Sequence, residues 1–296
     1  MMTKAPGSVL WYTVCVGDSV RYRAEAVTLL LSLIHHRTER TRVGVVTDAA
    51  SAFRWMEPLG VIVIEFDAAC RDEFASRQVP GSKFFFFHTR LSIGEWVGRG
   101  FGASAMLDTD CMARASLGAC EEHLLTGGVL MHRRECRLST HAQWSWRAPR
   151  NRRALKAVVG PNSSPWMWNA GVQGVPESGF ELFAKARERL DAMMGLQVNC
   201  WTMEQVALSL VFAETGELAA ADEPIVHYWG NRRAWSEVVD TIILNALGDA
   251  CGGGSAAVTF NLGAKSNLPM LREPVGTVQR WKRRLRRVLF LQAPGE

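Results

Sequence analysis

The stretch Ala103-Ser104-Ala105-Met106-Leu107-Asp108-Thr109-Asp110 places two carboxylates directly after a run of small and apolar residues. Such a run is typical of a buried strand. Residues two apart on a strand share a face, so both carboxylates are expected on the same side. Ligands of open α/β sheets bind at the carboxyl ends of the strands. The stretch therefore predicts a sheet strand and a polar site at its end.

Strands and helices alternate upstream of this stretch. We predict strands at 9–16, 43–46, 61–66 and 103–107, and helices at 21–36, 51–59 and 84–97. This alternation predicts an α/β fold, with a mostly parallel sheet, right-handed crossovers and flanking helices. The near-continuous apolar character of 61–66 fits a strand that is covered on both faces.

The second half of the chain is less regular. We predict strands at 127–131, 166–175 and 225–228, helices at 177–194 and 203–214, and a long excursion at 133–165, which is rich in Arg, Trp, Pro and Ser. The predicted organisation is a domain at 8–249, a linker at 250–275 that begins with small residues, and a basic amphipathic helix at 276–296.

Bulk composition limits the class of protein. The 296 residues can form one large domain or two small ones, and 48% hydrophobic with 21% charged residues is ordinary for a soluble globular protein. No apolar run is long enough to span a bilayer, and no cleavage site follows the first apolar segment. The seven cysteines are odd in number and lack C-x-x-C pairs. They predict a reducing, cytoplasmic location and argue against a disulfide framework or a zinc cluster.

A histidine in the string His227-Tyr228-Trp229-Gly230 completes a candidate metal site with Asp108 and Asp110. Two carboxylates and one imidazole form a mixed set that suits Mn²⁺ or Mg²⁺. Taken singly, the aspartates could be turn residues and the histidine a structural residue after a strand. Phosphatases of the haloacid-dehalogenase type also use Asp-x-Asp, but after a first strand and before Gly-Thr. Here the motif follows a fourth strand and precedes Cys111.

Two further strings carry polar groups. In Trp168-Asn169-Ala170-Gly171-Val172, Asn169 can hydrogen-bond hydroxyls. Gly171 either admits a ligand to the backbone or marks a bulge. Glu204 and Gln205 open an apolar helix, where an acid is favoured by the helix dipole or points into a cleft.

The order of these strings resembles that of GT-A glycosyltransferases, and most closely family 8, which contains glycogenin and bacterial lipooligosaccharide galactosyltransferases. The closing family motif is His-x-x-Gly-x-x-Lys-Pro-Trp. It is matched by His227, Gly230 and Trp235, with Arg233 at the Lys place and Ala234 at the Pro place. The resemblance implies a GT-A-type, Rossmann-like mixed sheet. It also implies transfer of a sugar from a nucleotide-sugar, such as a UDP-sugar, with retention of configuration.

The same resemblance implies roles for individual residues. Asp108, Asp110 and His227 would hold Mn²⁺ (or Mg²⁺), which bridges the donor diphosphate. Arg233 would contact this diphosphate, and Gly230 would let the backbone close over it.

Other roles are implied for the nucleotide, the sugar and the acceptor. Gly17, Asp18 and Tyr22 match the nucleotide-binding start of the family, and Arg90, in competition with Lys83, takes the place of the family's lysine. Asn169 and Gly171 would line the sugar and acceptor site, and the catalytic residues would be Asn169, Glu204 and Gln205. Glu204 stands where the family has Asp, and Val206 where some members have Asp, so the catalytic assignment around 204–206 is open.

Two other functions fit parts of the pattern. A nucleotidyltransferase on the same sheet should carry a Gly-rich signature near the first strand, and Val16-Gly17-Asp18-Ser19 is poor in glycine. A non-catalytic nucleotide-binding protein is favoured by the departure at Val206.

Basic residues crowd 133–153 and 279–287. In the second cluster, Trp281, Leu285, Val288 and Leu289 form a helical stripe. The stripe predicts either peripheral binding to an anionic inner membrane or a helix docked on the domain. No nucleic-acid-binding motif accompanies the first cluster, so we expect no nucleic acid partner. The expected acceptor is a glycan, a lipid-linked molecule or a protein.

Overall fold

The computed structural model describes residues 7–76, 85–99, 101–140, 149–159, 165–196, 198 and 202–251. The strands in these residues are β1 (Val9–Cys15), β2 (Thr41–Thr47), β3 (Val61–Glu65), β4 (Ala103–Leu107), β5 (Cys111–Ala113), β6 (Val129–Arg137), β7 (Trp166–Pro176), β8 (Leu218–Ala220) and β9 (Ile225–His227). The α-helices are α1 (Val20–His35), α2 (Ala68–Ser76), α3 (Phe85–Gly98), α4 (Gly118–Leu125), α5 (Pro149–Val159), α6 (Glu181–Gly195), α7 (Met203–Ala213) and α8 (Arg232–Cys251).

Seven strands form a mixed central sheet in the order β3-β2-β1-β4-β7-β6-β8. The first four strands of this order run parallel to one another. Strand β7 runs antiparallel to both β4 and β6, and β8 pairs with β6 in parallel. The predicted α/β class with a mostly parallel sheet is therefore confirmed.

Strand β1 shows how the sheet is covered on both faces. Its seven residues are all buried. Leu10 and Tyr12 belong to one hydrophobic core, whereas Val9 and Trp11 belong to a second core on the other side. Alternate residues of a strand point to opposite faces, so a fully buried strand contributes to two cores at once.

Helix α1 closes one of these cores. The hydroxyl of Ser19 accepts a hydrogen bond from the backbone N–H of Tyr22 and caps the helix. Leu29, Leu30 and Leu33 are fully buried against the sheet.

The strand pair β6–β7 is irregular where it approaches the carboxyl end of β4. His132 alone stands opposite three residues of β7, at 170–172. Three residues further on, Glu135 is an extra residue of β6 between the pairs Arg134–Trp168 and Cys136–Met167. Bulges of this kind re-aim side chains. The irregularity at Gly171 agrees with a bulge.

A second, two-stranded sheet joins β5 to β9 in antiparallel register, with Cys111 opposite His227. The backbone N–H of Tyr228 also donates to the carbonyl of Asp110 over 3.0 Å. Backbone pairing thus brings the histidine strand directly beside the aspartate pair.

Several elements differ from the sequence-based expectations. The segment 51–59 forms two short 3₁₀ helices, Ala50–Ala52 and Arg54–Leu59, in place of one α-helix. Gly60 ends the second with φ 93°.

The predicted excursion at 133–165 contains the end of β6 and helix α5. Helix α8 runs to Cys251, so the first two residues of the predicted linker are helical. The rest of the linker, the segment 276–296 and Lys83 lie outside the described residues. Among the described helices, none has both the length and the apolar character needed to cross a membrane.

Candidate metal and nucleotide site

A cavity of about 960 Å³ lies over the carboxyl ends of β1 and β4. Its lining combines apolar side chains with acids, amides and two arginines from seven parts of the chain: Val14, Val16, Tyr22, Phe86, Arg90, Asp108, Asp110, Glu135, Asn169, Gln205, His227, Trp229 and Arg232. A cavity of this size with a few convergent polar groups is typical of a small-molecule site.

Three of these side chains converge on one point. Nε2 of His227 lies 3.2 Å from Oδ1 of Asp110 and 3.7 Å from Oδ2 of Asp108. One ligand atom from each residue lies within 4.8 Å of the others. Asp110 and His227 are almost fully buried, and the side chain of Asp108 is 28% exposed to the cavity. The structure thus brings together the three residues that the sequence proposed as metal ligands.

The second oxygen of each aspartate is held by an arginine. Nε of Arg232 donates to Oδ2 of Asp110 over 2.8 Å. The Arg90 guanidinium donates to Oδ1 of Asp108. Burial alone would raise the pKa of Asp110, but hydrogen bonds and charges from His227 and Arg232 outweigh it and lower this pKa to about 2. Asp110 therefore offers an ionised oxygen to the point where the three side chains meet, and Asp108 directs its Oδ2 to the same point.

The imidazole of His227 is held from behind. Its Nδ1 lies 2.8 Å from Oδ1 of Asn169. The ring of His132 packs against it edge to face, with centroids 5.4 Å apart. Burial lowers the pKa of His132 to about 3, so this second ring is neutral at physiological pH and adds no repulsion to a cation site.

Gly171 makes room for this imidazole. A Cβ at this position would lie 2.3 Å from Nδ1 of His227, far inside any allowed contact. The space beside the glycine is thus filled by the histidine ring. The Gly171 carbonyl accepts hydrogen bonds from the backbone N–H of Asp108 and from the thiol of Cys111.

A buried network lies behind Asp108. Arg90 also donates to Glu204 over 3.4 Å, and Nε2 of Gln173 donates to the same carboxyl group over 3.3 Å. Burial, with a smaller contribution from Asp108, raises the pKa of Glu204 to about 7, although Arg90 and Gln173 act in the opposite direction. Glu204 is 3% exposed and contacts Arg90, whereas its neighbour Gln205 lines the cavity.

The predicted nucleotide-binding start is only partly at the cavity. Tyr22 lines it, and the Arg232 guanidinium lies 5.4 Å from the centre of the Tyr22 ring. The backbone N–H of Gly17, at φ 91°, donates to the Asp48 carboxylate over 3.0 Å. The Asp18 side chain is fully exposed and lies 3.5 Å from Arg23.

In the closing motif, Arg232 lies at the cavity in place of the expected Arg233. Arg232 lines the cavity, bonds Asp110 and lies 3.5 Å from the buried Glu25, whereas Arg233 is exposed. Gly230 lies in a short 3₁₀ turn after His227 and is partly buried. Sequence reasoning missed Arg232, Glu25 and Glu135. Glu25 lies four residues before the core residue Leu29 of α1, so its position on the buried face of this helix could have been predicted from the sequence. No sequence pattern indicates the position of Glu135.

Comparisons with known proteins give the fold. No known protein-family model and no curated protein sequence matches this chain. Among solved structures, mouse xyloside xylosyltransferase 1 in its apo form is similar, with a TM-score of 0.50 and 15% identity over 79% of this chain and 92% of that one. Galactosyltransferase LgtC in complex with donor and acceptor sugar analogs has a TM-score of 0.46 and 15% identity, over 72% and 73% of the two chains. The apo structure of the bifunctional glycosyltransferase WbbM has a TM-score of 0.48 and 14% identity, over 73% of this chain and 39% of that one.

At such low identity these likenesses concern the fold alone. The xylosyltransferase and this chain share the GT-A fold, and the fold implied by the sequence resemblance is confirmed.

Proposed function

We propose that this chain is a glycosyltransferase that moves a sugar from a nucleotide-sugar, a UDP-sugar, to an acceptor hydroxyl with the help of Mn²⁺ or Mg²⁺. The convergence of Asp108, Asp110 and His227 at the carboxyl end of a sheet strand carries this proposal. Two carboxylate oxygens and an imidazole nitrogen within 4.8 Å fit a divalent cation of intermediate hardness. A bound cation would neutralise negative charge on the leaving diphosphate.

The arginines of the cavity support the same chemistry. Arg232 is 36% exposed on its side chain, and Arg90 is 10% exposed. Guanidinium groups donate to phosphate oxygens in a paired geometry, and cations fixed beside a leaving group stabilise its charge in the transition state. We assign the diphosphate contact to Arg232 in place of Arg233, because Arg232 lines the cavity beside the proposed metal ligands.

The sugar and the acceptor are assigned to the amide side of the cavity. Asn169 and Gln205 line it, and both donate to the carboxylate of Glu135. Val206, where some family members have an acid, is fully buried in the core and does not line the cavity. The carboxylate on this side of the cavity is that of Glu135. Retention of the anomeric configuration follows from the resemblance to family 8 and is proposed on that basis.

Slow hydrolysis of UDP-sugars by the purified chain, with and without Mn²⁺, tests this function. Asp108→Asn should reduce hydrolysis by more than about a hundredfold because it removes one anionic ligand, and it should leave the circular dichroism spectrum unchanged. Asp240→Asn, at an exposed position of α8, is the matched control. Full activity of Asp108→Asn in Mn²⁺ would exclude the proposed metal site. Binding of UDP-sugars without any turnover would favour a non-catalytic nucleotide-binding protein.

We also propose a cytoplasmic enzyme that contacts an anionic membrane through residues 276–296. This proposal rests on the sequence pattern of those residues. Sedimentation with anionic liposomes tests it, since deletion of 276–296 should abolish binding, and unchanged binding would exclude this role.

A further inference from the structure

The side-chain amide of Asn169 has two partners that each permit only one orientation. The backbone N–H of Gly171 can only donate, and it donates to Oδ1 over 3.0 Å. The carboxylate of Glu135 can only accept, and it accepts from Nδ2 over 3.1 Å. If the amide were turned by 180°, its NH₂ group would face the N–H of Gly171 and its oxygen would face the carboxylate of Glu135. Both contacts would be repulsive. The orientation of Asn169 is therefore fixed by its surroundings.

This orientation decides which nitrogen of His227 carries the proton. Oδ1 of Asn169 lies 2.8 Å from Nδ1 of His227, and an amide oxygen can only accept. Nδ1 must therefore be the N–H of the ring. In a neutral imidazole the other nitrogen then has a free lone pair, and here Nε2 faces Asp108 and Asp110. This is the tautomer that can ligate a cation at the aspartate pair.

The position of Glu135 is also supported from its other side. Nε2 of Gln205 donates to Oε2 over 3.0 Å, while Asn169 donates to Oε1. Glu135 is the extra residue in the bulge of β6, and the register shift there turns its side chain into the cavity. Two amides thus hold one carboxylate, and this carboxylate orients the amide that faces His227.

We propose that Glu135 and Asn169 are positioning residues that set the tautomer of His227 for binding a divalent cation. The proposal rests on the metal site of the proposed function, and it assigns neither residue a part in bond breaking. Hydrogen-bond partners of metal-binding histidines have this effect in general, and their loss typically weakens metal affinity by about 10–100-fold.

Nitrogen NMR of the Mg²⁺-loaded chain tests the tautomer directly. Without a cation, Nε2 of His227 can itself donate to Asp110 over 3.2 Å, so the two tautomers are distinguished in the loaded chain. Two-bond ¹H–¹⁵N correlations distinguish an Nδ1–H ring from an Nε2–H ring, and the signals of His227 are assigned by their loss in His227→Ala. With Mg²⁺ bound we expect the proton on Nδ1 alone, and a proton on Nε2 would overturn the proposal without the need for any other variant.

Calorimetric titration with Mn²⁺ alone tests the consequence for affinity. Asn169→Leu removes the acceptor and should weaken binding by about 10–100-fold. Glu135→Gln offers a donor as well as an acceptor, so the amide of Asn169 loses its fixed orientation and binding should weaken by a smaller factor. The exchanged pair Glu135→Gln with Asn169→Asp restores a donor at 135 and an acceptor at 169. It should recover most of the affinity.

Glu217→Gln, at an exposed carboxylate before β8, is the matched control and should bind Mn²⁺ like the unchanged chain. Equal affinities for the unchanged chain, Asn169→Leu and Glu135→Gln would overturn the inference while leaving the metal site intact. An exchanged pair that binds no better than the single variants would also overturn it. Failure of the unchanged chain to bind Mn²⁺ would instead contradict the proposed function, and circular dichroism of each variant separates loss of fold from loss of affinity.

Discussion

The two halves of the central sheet bring side chains to the cavity in different ways. In the parallel half, β4 is in uninterrupted register with β1, and Asp108 follows directly where β4 ends. In the antiparallel half, the β6–β7 pair is interrupted twice, and Asn169 and Glu135 lie next to or within these interruptions. The first half positions the two aspartates by backbone geometry. The second half supplies Asn169 and Glu135, which support His227 through side-chain hydrogen bonds. Stability and ligand geometry should therefore respond to different mutations.

The largest effect is expected from a core deletion in the parallel half. Leu30→Ala removes a fully buried side chain of α1 and should lower the free energy of unfolding by about 2–5 kcal/mol, as measured by urea denaturation. Mn²⁺ affinity of the folded fraction should not change. Leu244→Ala, at a position that is 68% exposed, should change stability by less than about 0.5 kcal/mol. If Leu30→Ala also lost Mn²⁺ affinity, the stability of the parallel half and the geometry of the metal ligands would not be independent.

Glu204 joins the two halves, since it bonds Arg90 of α3 and Gln173 of β7. Its pKa is raised from 4.5 to about 7, so between these pH values the folded chain keeps a proton that the unfolded chain releases. The contribution of Glu204 to stability should therefore be fully present below pH 4.5 and should fall as the pH rises to 7, by at most a few kcal/mol.

Chelator-treated protein, unfolded in urea at several pH values, measures this trend. Glu204→Gln cannot titrate and should show a shallower fall over the same interval. Equal slopes for both proteins would mean that the pKa of Glu204 is the same in the folded and the unfolded chain.

Gly171→Ala should separate ligand geometry from stability in the antiparallel half. The new Cβ would collide with the ring of His227, so Mn²⁺ affinity should fall by about 10–100-fold in a calorimetric titration. Gly195→Ala, where a Cβ meets nothing within 4 Å, should keep full affinity. Unchanged Mn²⁺ binding by Gly171→Ala would remove His227 from the ligand set.

The smallest effect is expected on UDP binding, from substitutions of two adjacent arginines. Arg232→Gln should weaken the binding of UDP in the presence of Mn²⁺ by about tenfold, the size of one lost hydrogen bond to a charged group. Arg233→Gln should leave it within about twofold, because Arg233 is exposed and does not line the cavity. A larger loss of UDP affinity in Arg233→Gln than in Arg232→Gln would assign the diphosphate contact to Arg233, as the family motif implies.

The sequence predicted the parallel half and its aspartates well, because alternating apolar runs and a fixed i, i+2 spacing determine where such strands end. It located His227 only through the order of the motifs. Adjacent residues point about 100° apart on a helix, so the choice between Arg232 and Arg233 depends on where α8 begins, which the sequence left open. Glu135 could not be predicted, since a bulge breaks the two-residue period on which strand patterns rest.

Strand β9 returns His227 to a segment that was synthesised 117 residues earlier. A nascent chain leaves the ribosome with its N-terminal part first, so both aspartates emerge long before the imidazole. The ladder between β5 and β9 can close only after that delay. Affinity for a cation at the proposed ligand set therefore arises late in translation. A chain that terminates before β9 would carry both aspartates without the histidine ligand.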